Sequence, residues 1–564
     1  MNAYIDTYPR PQLRRRSFFS LDGTWELAFS RTPEIPSTFP YTVNVPFPPE
    51  SEASGVTARR ARGEMLFYRR TFRLPEGFHE KKTLLHFGAV DTVATVVFNG
   101  SPLYTHEGGY LPFSVDVSAH LQEENELVVA VRDDLSHDYP YGKQRVKRGG
   151  MWYTPTSGIW QSVWLESFPE GGIYGIRTHA NERCVHITVE SDAKELTISY
   201  FDGEETALYT MRAGEIVLKP KNPHLWSPED PYLYRFTVKS ETDEADGYFA
   251  LRRLDARVCE DGQTRFFLNG KPYFLHGVLD QGYYPEGIYT PKTPSGYLDD
   301  IRLAKRLGFN MIRKHIKVES ALFYYDCDRE GIIVCQDAVN NGSYSFFFHT
   351  ALPTVGLKRF PNALLRKSRR AREIFYEHTR EMLSYLSVFP CVLMFTIFNE
   401  GWGQKDADAL YRLFKGEFPS MLFDTASGWF RTRATDMRSD HVYFKKIKPN
   451  YKGEALPVFL SEFGGYSLPV AGHTYPSGKN YGYALCRDEK DLTERLLRLY
   501  REEVIPAVRA GLGGAVITQL ADVEDETNGF TTYDRAVVKV PEGAFAALRD
   551  EIVAALDGVK EKSE

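Results

Sequence analysis

The chain has 564 residues, more than a single hydrophobic core usually spans, so we expect it to fold as several domains. A hydrophobic fraction of 42% and a charged fraction of 26% are typical of globular proteins and exclude general disorder. The net charge of −6 gives no reason to expect nucleic acids or anionic membranes as partners, because such binding usually requires a basic excess.

The N-terminal segment MNAYIDTYPR has no apolar stretch of the kind that signal peptides carry, and no long apolar run suggests a membrane span. The six cysteines are scattered without a CxxC pair, and several lie in apolar segments where reduced, buried thiols are usual. We therefore expect a cytoplasmic protein without disulfides. An exported form whose leader has been removed is the alternative.

Residues 1–168 are predicted to form an all-β domain. Short apolar or alternating segments recur there between Gly, Pro, Asn and Asp, a pattern typical of a sandwich or jelly roll. One segment ends in Asn99-Gly100, a strong hairpin signal. The same rhythm continues over residues 169–256, whose length and pattern predict an immunoglobulin-like β-sandwich.

From residue 257 to residue 564, short apolar segments alternate with longer amphipathic ones, which indicates parallel βαβ units. Eight units over this length predict a (β/α)8 barrel. A doubly wound open sheet is the rival, but neither GxGxxG after a strand nor GxxxxGK[ST] occurs. The eight predicted strands are Tyr273–Val278, Phe309–Lys314, Ile332–Asp337, Val392–Asn399, Met421–Thr425, Asp440–Tyr443, Pro457–Glu462 and Ala515–Leu520.

Two glutamates follow apolar strands at the end where such barrels carry their chemistry. Glu400 comes after the fourth predicted strand and Glu462 after the seventh, each before a glycine-bearing loop. A single strand-end Glu is more often a solvated residue, but two at one barrel mouth indicate the pair of carboxyls that glycoside cleavage needs. Further polar residues stand at predicted strand ends, namely Asp280, Gln281, Asp337, Asp424, Gln519 and Asp522. Of these, we expect Asp280, Gln519 and Asp522 to contribute to substrate binding.

The segments around these glutamates, TIFNEGWG and LSEFGG, resemble the acid/base and nucleophile motifs of glycoside hydrolase family 2. FSLDGTWEL, MLFYRRTF, GGYLPFSVDVS and SGIWQSVWLE resemble the family's N-terminal sugar-binding jelly roll, so the resemblance covers nearly the whole chain. It implies a retaining exo-β-glycosidase that removes the terminal non-reducing sugar by double displacement. Glu400 would be the general acid/base and Glu462 the nucleophile, with a carbohydrate substrate and no cofactor.

The resemblance also implies roles for neighbouring residues. Asn399 would bind the sugar 2-hydroxyl, Tyr443 would orient Glu462, and Arg313 would pair with the nucleophile. His315 follows in Arg313-Lys314-His315, whereas the family more often has Arg-x-x-His, so a structural role for His315 is the alternative. Trp402 and Trp429 are candidate sugar platforms, for which ordinary packing is about equally expected.

Two departures from the family pattern bear on the substrate. Family β-glucuronidases hold the substrate carboxylate with an Asn-x-Lys pair, where this chain has Asn528-Gly529-Phe530. Trp152 stands where well-studied members place an Asp from the jelly roll. These departures favour a neutral hexoside or pentoside, with a β-galactoside as the single best candidate. β-Glucuronide, β-galacturonide, β-mannoside and arabinoside hydrolysis are the alternatives.

No metal is expected, because the sequence contains neither HExxH nor a Cys/His cluster with zinc spacing. A metal-dependent barrel hydrolase would have only His315 and His441 as obvious ligands. A non-catalytic carbohydrate-binding protein is the alternative from another class, although both Glu400 and Glu462 are present. The sequence leaves open whether the protein is a homo-oligomer.

Overall fold

The computed structural model describes residues 2–203, 205–354, 367–443, 445–449, 451 and 453–562. Two β-sandwiches and an eight-stranded parallel sheet follow one another along the chain, as the sequence predicted. No helix among these residues is both long and apolar enough to cross a membrane.

The first sandwich is the jelly roll. A six-stranded and a four-stranded antiparallel sheet enclose a core that includes Trp25, Leu27 and Val96. Along Gly23–Ser30 buried and exposed side chains largely alternate, as expected for a strand with one face on the core. The strands are Phe19–Ser20, Gly23–Ser30, Tyr41–Val45, Met65–Phe72, Lys82–Phe87, Val90–Asp91, Val93–Phe98, Ser101–Glu107, Phe113–Asp116, Asn125–Arg132, Gly158–Ile159 and Val163–Phe168.

The second sandwich packs a three-stranded sheet and a four-stranded sheet around its own core, which includes Ile187, Ile198 and Phe236. Its strands are Ile173–Ala180, Val185–Ser191, Leu196–Phe201, Thr206–Met211, Gly214–Leu218, Tyr234–Lys239 and Glu244–Phe249. A small antiparallel sheet then leads into the barrel, with strands Leu254–Val258, Thr264–Leu268 and Lys271–Pro272.

The eight barrel strands run parallel in the order 5-4-3-2-1-8-7-6, numbered along the chain. The fifth strand is linked to the segment before the sixth by the bond from the Asp436 amide to the Phe423 carbonyl, 3.0 Å. In chain order, the first to eighth barrel strands are Leu275–Asp280, Met311–Lys314, Ile333–Asp337, Val392–Thr396, Leu422–Asp424, Arg438–Val442, Val458–Gly464 and Leu512–Thr518.

Each observed strand overlaps a predicted one, and the eighth differs most at its start. It begins at Leu512, whereas the predicted strand begins at Ala515. The prediction missed the first residues because Gly513 and Gly514 have no side chain that could contribute to an apolar pattern. A Cβ on Gly514 would lie 2.8 Å from the Leu275 Cβ, so the first and eighth strands pack too closely there for a side chain.

The helices around the barrel have the caps that favour their first turns. Ser368 accepts a hydrogen bond from the Ala371 amide at 2.9 Å, and Asp488 accepts one from Asp491 at 2.8 Å. The main helices are Ser295–Arg306, Ala321–Glu330, Arg369–Leu386, Ala407–Glu417, Glu489–Leu499, Ile505–Arg509 and Glu542–Ala554. Short elements complete the described set, namely Glu52–Ser54, Ser118–His120, Phe347–Ala351, Leu352–Thr354, Tyr466–Ser467, Ala484–Leu485 and Tyr500–Val504.

A loop of the first sandwich, residues 133–157, reaches the carboxyl-terminal mouth of the barrel; we call it the jelly-roll loop. The Tyr141 amide donates to the Asn340 carbonyl at 3.2 Å, and its hydroxyl donates to the Gly342 carbonyl at 2.7 Å. Further along the loop, the Tyr153 hydroxyl donates to Glu526 in the loop after the eighth barrel strand. The barrel mouth is therefore lined by two domains.

Candidate active site

The two glutamates singled out in the sequence meet at the barrel mouth. Glu462 lies within the seventh barrel strand, and Glu400 lies in the loop that follows the fourth. A carboxylate oxygen of each lies within 4.8 Å of the other, and both side chains are largely buried. Two carboxyls at this separation can act on one bond of a ligand placed between them.

Glu400 has a left-handed backbone conformation, with φ of 51°. This conformation costs a non-glycine residue about 1–2 kcal/mol, and surrounding structure must hold it in place. The Glu400 amide donates to the Ser427 carbonyl at 3.0 Å, and Gly401 follows with φ of 77°. A Cβ on Gly401 would overlap the ring of Phe430. The glycine of the Glu-Gly pair thus lets the loop fold tightly enough to aim Glu400 inward.

Both oxygens of the Glu462 carboxylate accept hydrogen bonds. Arg313 Nη1 donates to Oε1 at 3.0 Å, and the Tyr443 hydroxyl donates to Oε2 at 2.5 Å. His441 Nδ1 lies 3.5 Å from Oε2. Burial alone would raise the pKa of Glu462, but the charges of His441 and Arg313 and the Tyr443 hydrogen bond lower it to about 2. Glu462 is therefore an anion.

Arg313 connects Glu462 to polar groups of the third and fourth strands. It is fully buried and donates from Nε to Asp337 Oδ1 at 2.9 Å and from Nη2 to Asn399 Oδ1 at 2.9 Å. Because Oδ1 of Asn399 accepts from Arg313, its Nδ2 amide is left to donate to a ligand hydroxyl. The guanidinium thus fixes Glu462 and Asn399 relative to each other.

His441 has a larger place in the site than the sequence indicated, where it appeared only as a metal-ligand alternative. Its Nδ1 lies 2.9 Å from Glu400 Oε1, and its Nε2 lies 2.9 Å from the Ser427 hydroxyl. Side chains two residues apart on a strand share a face, which places His441 on the same side as Tyr443, just after the sixth strand. The two-residue spacing between His441 and Tyr443 was therefore the signal in the sequence that could have placed His441 in the site.

The trio Glu400, His441 and Glu462 could in principle ligate a cation, since one ligand atom of each lies within 4.8 Å of the others. However, both ring nitrogens of His441 already have hydrogen-bond partners, and Arg313 and Tyr443 occupy the two oxygens of Glu462. The arrangement suits proton transfer and nucleophilic attack better than metal binding.

His315 lies beside the group that Arg313 and Glu462 form. Its Nδ1 is 2.6 Å from Asp337 Oδ2, so the imidazole bonds to the same carboxylate as Arg313. Burial and the charge of Lys143 lower the pKa of His315, which favours the neutral ring. With Nδ1 donating to Asp337, Nε2 can accept a hydrogen bond from a sugar hydroxyl.

Other polar residues named from the sequence are engaged in the protein itself. Asp280 pairs with Lys314 Nζ at 2.5 Å, and Asp522 pairs with Lys539 Nζ at 2.6 Å, all of them buried. The structure therefore brings these carboxylates near the mouth but commits them to ion pairs. Gln519 accepts from Gln281 Nε2 at 3.0 Å and forms part of an amide network under the pocket.

The tryptophans divide into two groups. Trp152 and Trp402 are buried against each other, with ring centroids 5.3 Å apart, and Trp402 Nε1 donates to the Gly342 carbonyl at 3.0 Å. Trp429 is half-buried, and its ring centroid lies 5.3 Å from that of His441. Trp429 thus has the more accessible face beside the catalytic pair.

Two charged residues of the mouth were not found from the sequence. Glu526 is buried and accepts hydrogen bonds from the Tyr153 hydroxyl and from Asn528 Nδ2, the latter at 3.1 Å. Burial raises the pKa of Glu526, and the positive charge of Lys143 opposes this. Lys143, the second of the two, lies on the jelly-roll loop, whereas Glu526 lies in the loop after the eighth barrel strand. The two come together only because the jelly-roll loop docks on the barrel, which no local sequence pattern records.

Comparison with known proteins agrees with this architecture. A family model described as "Glycosyl hydrolase 2 galactose-binding domain-like" matches residues 53–160, and one described as "Glycosyl hydrolases family 2" matches residues 176–252.

Similar solved structures include a β-glucuronidase from an uncultured Clostridium species, with a TM-score of 0.74, 19% identity and coverage of 97% of this chain and 99% of that one. A β-D-glucuronidase from Dictyoglomus thermophilum has a TM-score of 0.73, 19% identity and coverage of 97% and 98%. A family 2 β-galacturonidase from Eisenbergiella tayi, bound to galacturonate, has a TM-score of 0.67, 18% identity and coverage of 97% and 99%.

At these identities the solved structures establish a common fold over nearly the whole chain. The two matched models assign both β-sandwiches to one family, and the barrel that follows them carries a paired carboxyl site. The chain is a glycoside hydrolase and belongs to family 2.

Proposed function

We propose that the protein is a retaining exo-β-glycosidase that removes a terminal sugar by double displacement, with Glu462 as nucleophile and Glu400 as general acid/base. The observation that carries this proposal is the spacing of the two carboxyls, whose oxygens approach within 4.8 Å. Retaining enzymes have carboxyl groups about 5–5.5 Å apart, whereas inverting enzymes need about 6.5–9.5 Å to admit a water molecule.

In the first step the Glu462 carboxylate attacks the anomeric carbon, while the Glu400 carboxyl protonates the departing glycosidic oxygen. A covalent glycosyl ester forms on Glu462 and the aglycone leaves. In the second step Glu400 takes a proton from water, the resulting hydroxide attacks the anomeric carbon, and the ester bond to Glu462 breaks. The protein ends each cycle with Glu400 protonated and Glu462 ionised.

The surrounding contacts support these roles for Glu462 and Glu400. Arg313 and Tyr443 hold Glu462 ionised, and Asn399 presents an amide at the position expected for the sugar 2-hydroxyl. His441 contacts Glu400 Oε1 and so restrains the acid/base carboxyl beside the nucleophile. Each group acts directly on one of the two carboxyls or on the sugar.

For the sugar itself, the sequence favoured a neutral hexoside, with a β-galactoside as the best candidate. Two observations favour a β-uronide instead. The similar solved structures named above are of two β-glucuronidases and a β-galacturonidase. The barrel mouth also contains a cation, Lys143, that the sequence did not place there. A β-galactoside is the second candidate, supported by Phe530 standing where the family's carboxylate-binding Lys is expected.

The stereochemical course tests the mechanism independently of the sugar. A panel of 4-nitrophenyl α- and β-glycosides identifies a substrate, and proton NMR then follows the earliest product before mutarotation. We expect the sugar to be released with its β-configuration and methanol to yield a methyl β-glycoside. Glu462→Gln should abolish turnover, whereas Glu494→Gln on an exposed helix face should not. Initial release of the α-anomer would contradict double displacement.

A further inference from the structure

The jelly-roll loop holds one lysine at the barrel mouth through a tightly packed backbone. Gly142 precedes Lys143 and has a φ of +60°. A Cβ at position 142 would lie 2.9 Å from the carbonyl oxygen of Ile316, just after the second barrel strand. Glycine therefore lets the backbone of the jelly-roll loop contact the barrel, and Lys143 is the residue that follows this contact.

The residue after Lys143 fixes the loop from the opposite side. Gln144 is buried, and its Nε2 lies 3.0 Å from Asp91 Oδ2 and 3.0 Å from the Tyr110 hydroxyl. Its Oε1 accepts from the Thr156 amide at 2.6 Å. Gln144 is thus tied into the jelly roll, while the charge of Lys143 acts on residues of the barrel. The lysine is held between two anchored neighbours.

The Lys143 ammonium lies near two residues on different loops of the mouth. Its charge helps to lower the pKa of His315, after the second strand, and opposes the raised pKa of Glu526, after the eighth. Among the described residues it makes no hydrogen bond and no ion pair within 4.0 Å. Lys143 is half-buried, so a ligand that enters the mouth can complete the contacts of its ammonium.

Neighbouring cations are already committed. Lys314 binds Asp280 and Glu319, and its side chain is fully buried. Arg313 binds Asp337 and Glu462. Lys143, by contrast, has no protein carboxylate within 4.0 Å in the part of the chain that the structure describes.

We propose that Lys143 binds the carboxylate of a uronic-acid residue in the sugar pocket and so selects β-uronides over neutral β-glycosides. The inference rests on the proposed exo-β-glycosidase function. A carboxylate is the ligand group that gains most from an ammonium, because charged hydrogen bonds are about twice as strong as neutral ones. Both oxygens of Glu526 already accept hydrogen bonds, from the Tyr153 hydroxyl and from Asn528 Nδ2.

The test compares substrates that differ only in charge. The wild-type protein, Lys143→Met and the control Lys147→Met are assayed with 4-nitrophenyl β-D-glucuronide, β-D-galacturonide, their methyl esters and the neutral β-hexosides. Lys147 is an exposed residue of the same loop. We expect a free uronide to be the best wild-type substrate, and Lys143→Met to lower its kcat/KM by roughly 10- to 100-fold. The kcat/KM values for the methyl esters and the neutral sugars should change by less than about threefold, since roughly twofold differences are common for such contacts.

The methyl esters keep the test valid if the variant folds poorly, since wild-type protein should itself prefer the free acid to the ester by a similar factor. A neutral hexoside as best substrate, or an equal loss on charged and neutral sugars, would overturn the role of Lys143. Either result with retained β-configuration leaves double displacement standing. Release of the α-anomer, or no turnover of any β-glycoside, would instead defeat the proposed function.

Discussion

The Tyr443 hydroxyl donates a 2.5 Å hydrogen bond to Oε2 of Glu462. Burial and the nearby carboxylate charge raise the pKa of Tyr443 well above its usual value, so the phenol keeps its proton and serves as a permanent donor. The bond is one of the interactions that hold the pKa of Glu462 at about 2.

Replacing Tyr443 with Phe should therefore raise the pKa of Glu462. Because the nucleophile must be ionised, the acid limb of kcat/KM against pH should move to higher pH, while activity near neutral pH falls by roughly 10- to 100-fold. A pH–rate profile on one substrate measures both effects. Tyr104→Phe, on an exposed jelly-roll strand, is the control. An unchanged acid limb would show that the phenol does not tune Glu462.

Glu400→Gln should affect substrates according to their leaving groups. A 2,4-dinitrophenyl aglycone departs without protonation, so its glycosylation step should be nearly unaffected. Alkyl glycosides should slow by roughly 10²- to 10⁴-fold, since they need the acid. Pre-steady-state release of the aglycone separates this step from hydrolysis of the glycosyl ester. Equal losses on both classes of aglycone would remove Glu400 from the role of acid.

Gly401→Ala should disturb the site without altering any catalytic group. The new Cβ would overlap Phe430, and the φ of 77° is itself unfavourable for alanine. We expect a loss of about 1–3 kcal/mol in the free energy of unfolding and a fall in kcat. Gly472→Ala is the matched control, because it has a φ of 84° with open space around it. Similar effects at both glycines would mean that strain alone, and not the Phe430 contact, matters.

Asp91 should make stability depend on pH. Burial and the charge of Asp133 raise its pKa in the folded protein to about 8, against about 3.9 in an unfolded chain. Between these values the folded state holds more protons, so this group's contribution to stability falls as pH rises from about 4 to about 8, by at most about 1.4 kcal/mol per unit.

Asp91→Asn cannot ionise and should remove that slope. The unfolding free energy of the variant minus that of the wild type should therefore increase from pH 5 to pH 8, whatever its starting offset. Urea unfolding at both pH values measures it, with the exposed Asp134→Asn as control. A difference that stays constant with pH would show that Asp91 is already ionised in the folded protein.

The sequence predicted the barrel and its two glutamates because both follow from strong local signals. Runs of apolar residues lead up to Glu400 and Glu462 in the sequence, and parallel strands necessarily bring their ends to one mouth. The predicted strands overlap the observed ones for the same reason. The strand ends were less well placed: the fourth strand stops at Thr396 rather than Asn399, because the loop that aims Glu400 begins at Ile397, before the apolar residues end.

The rest of the site depends on contacts between distant segments. Asp280 and Asp522 follow strands as expected, but only the fold shows that Lys314 and Lys539 occupy their carboxylates. Lys143 lies in a polar stretch of the jelly roll with no motif around it. Its approach to the barrel depends on the contact between Gly142 and the Ile316 carbonyl. This contact joins two domains and leaves no periodic pattern in the sequence.

The hydrogen bond from Tyr153 to Glu526 has a consequence for domain exchange. The first sandwich has a core of its own, whereas the core of the barrel also includes jelly-roll residues such as Tyr110 and Trp160. A barrel grafted onto another protein's sandwich would keep Glu400 and Glu462 but would lose the phenol that holds Glu526. Recombination between relatives should therefore preserve catalysis only when residues 133–157 and the loop after the eighth strand are inherited together.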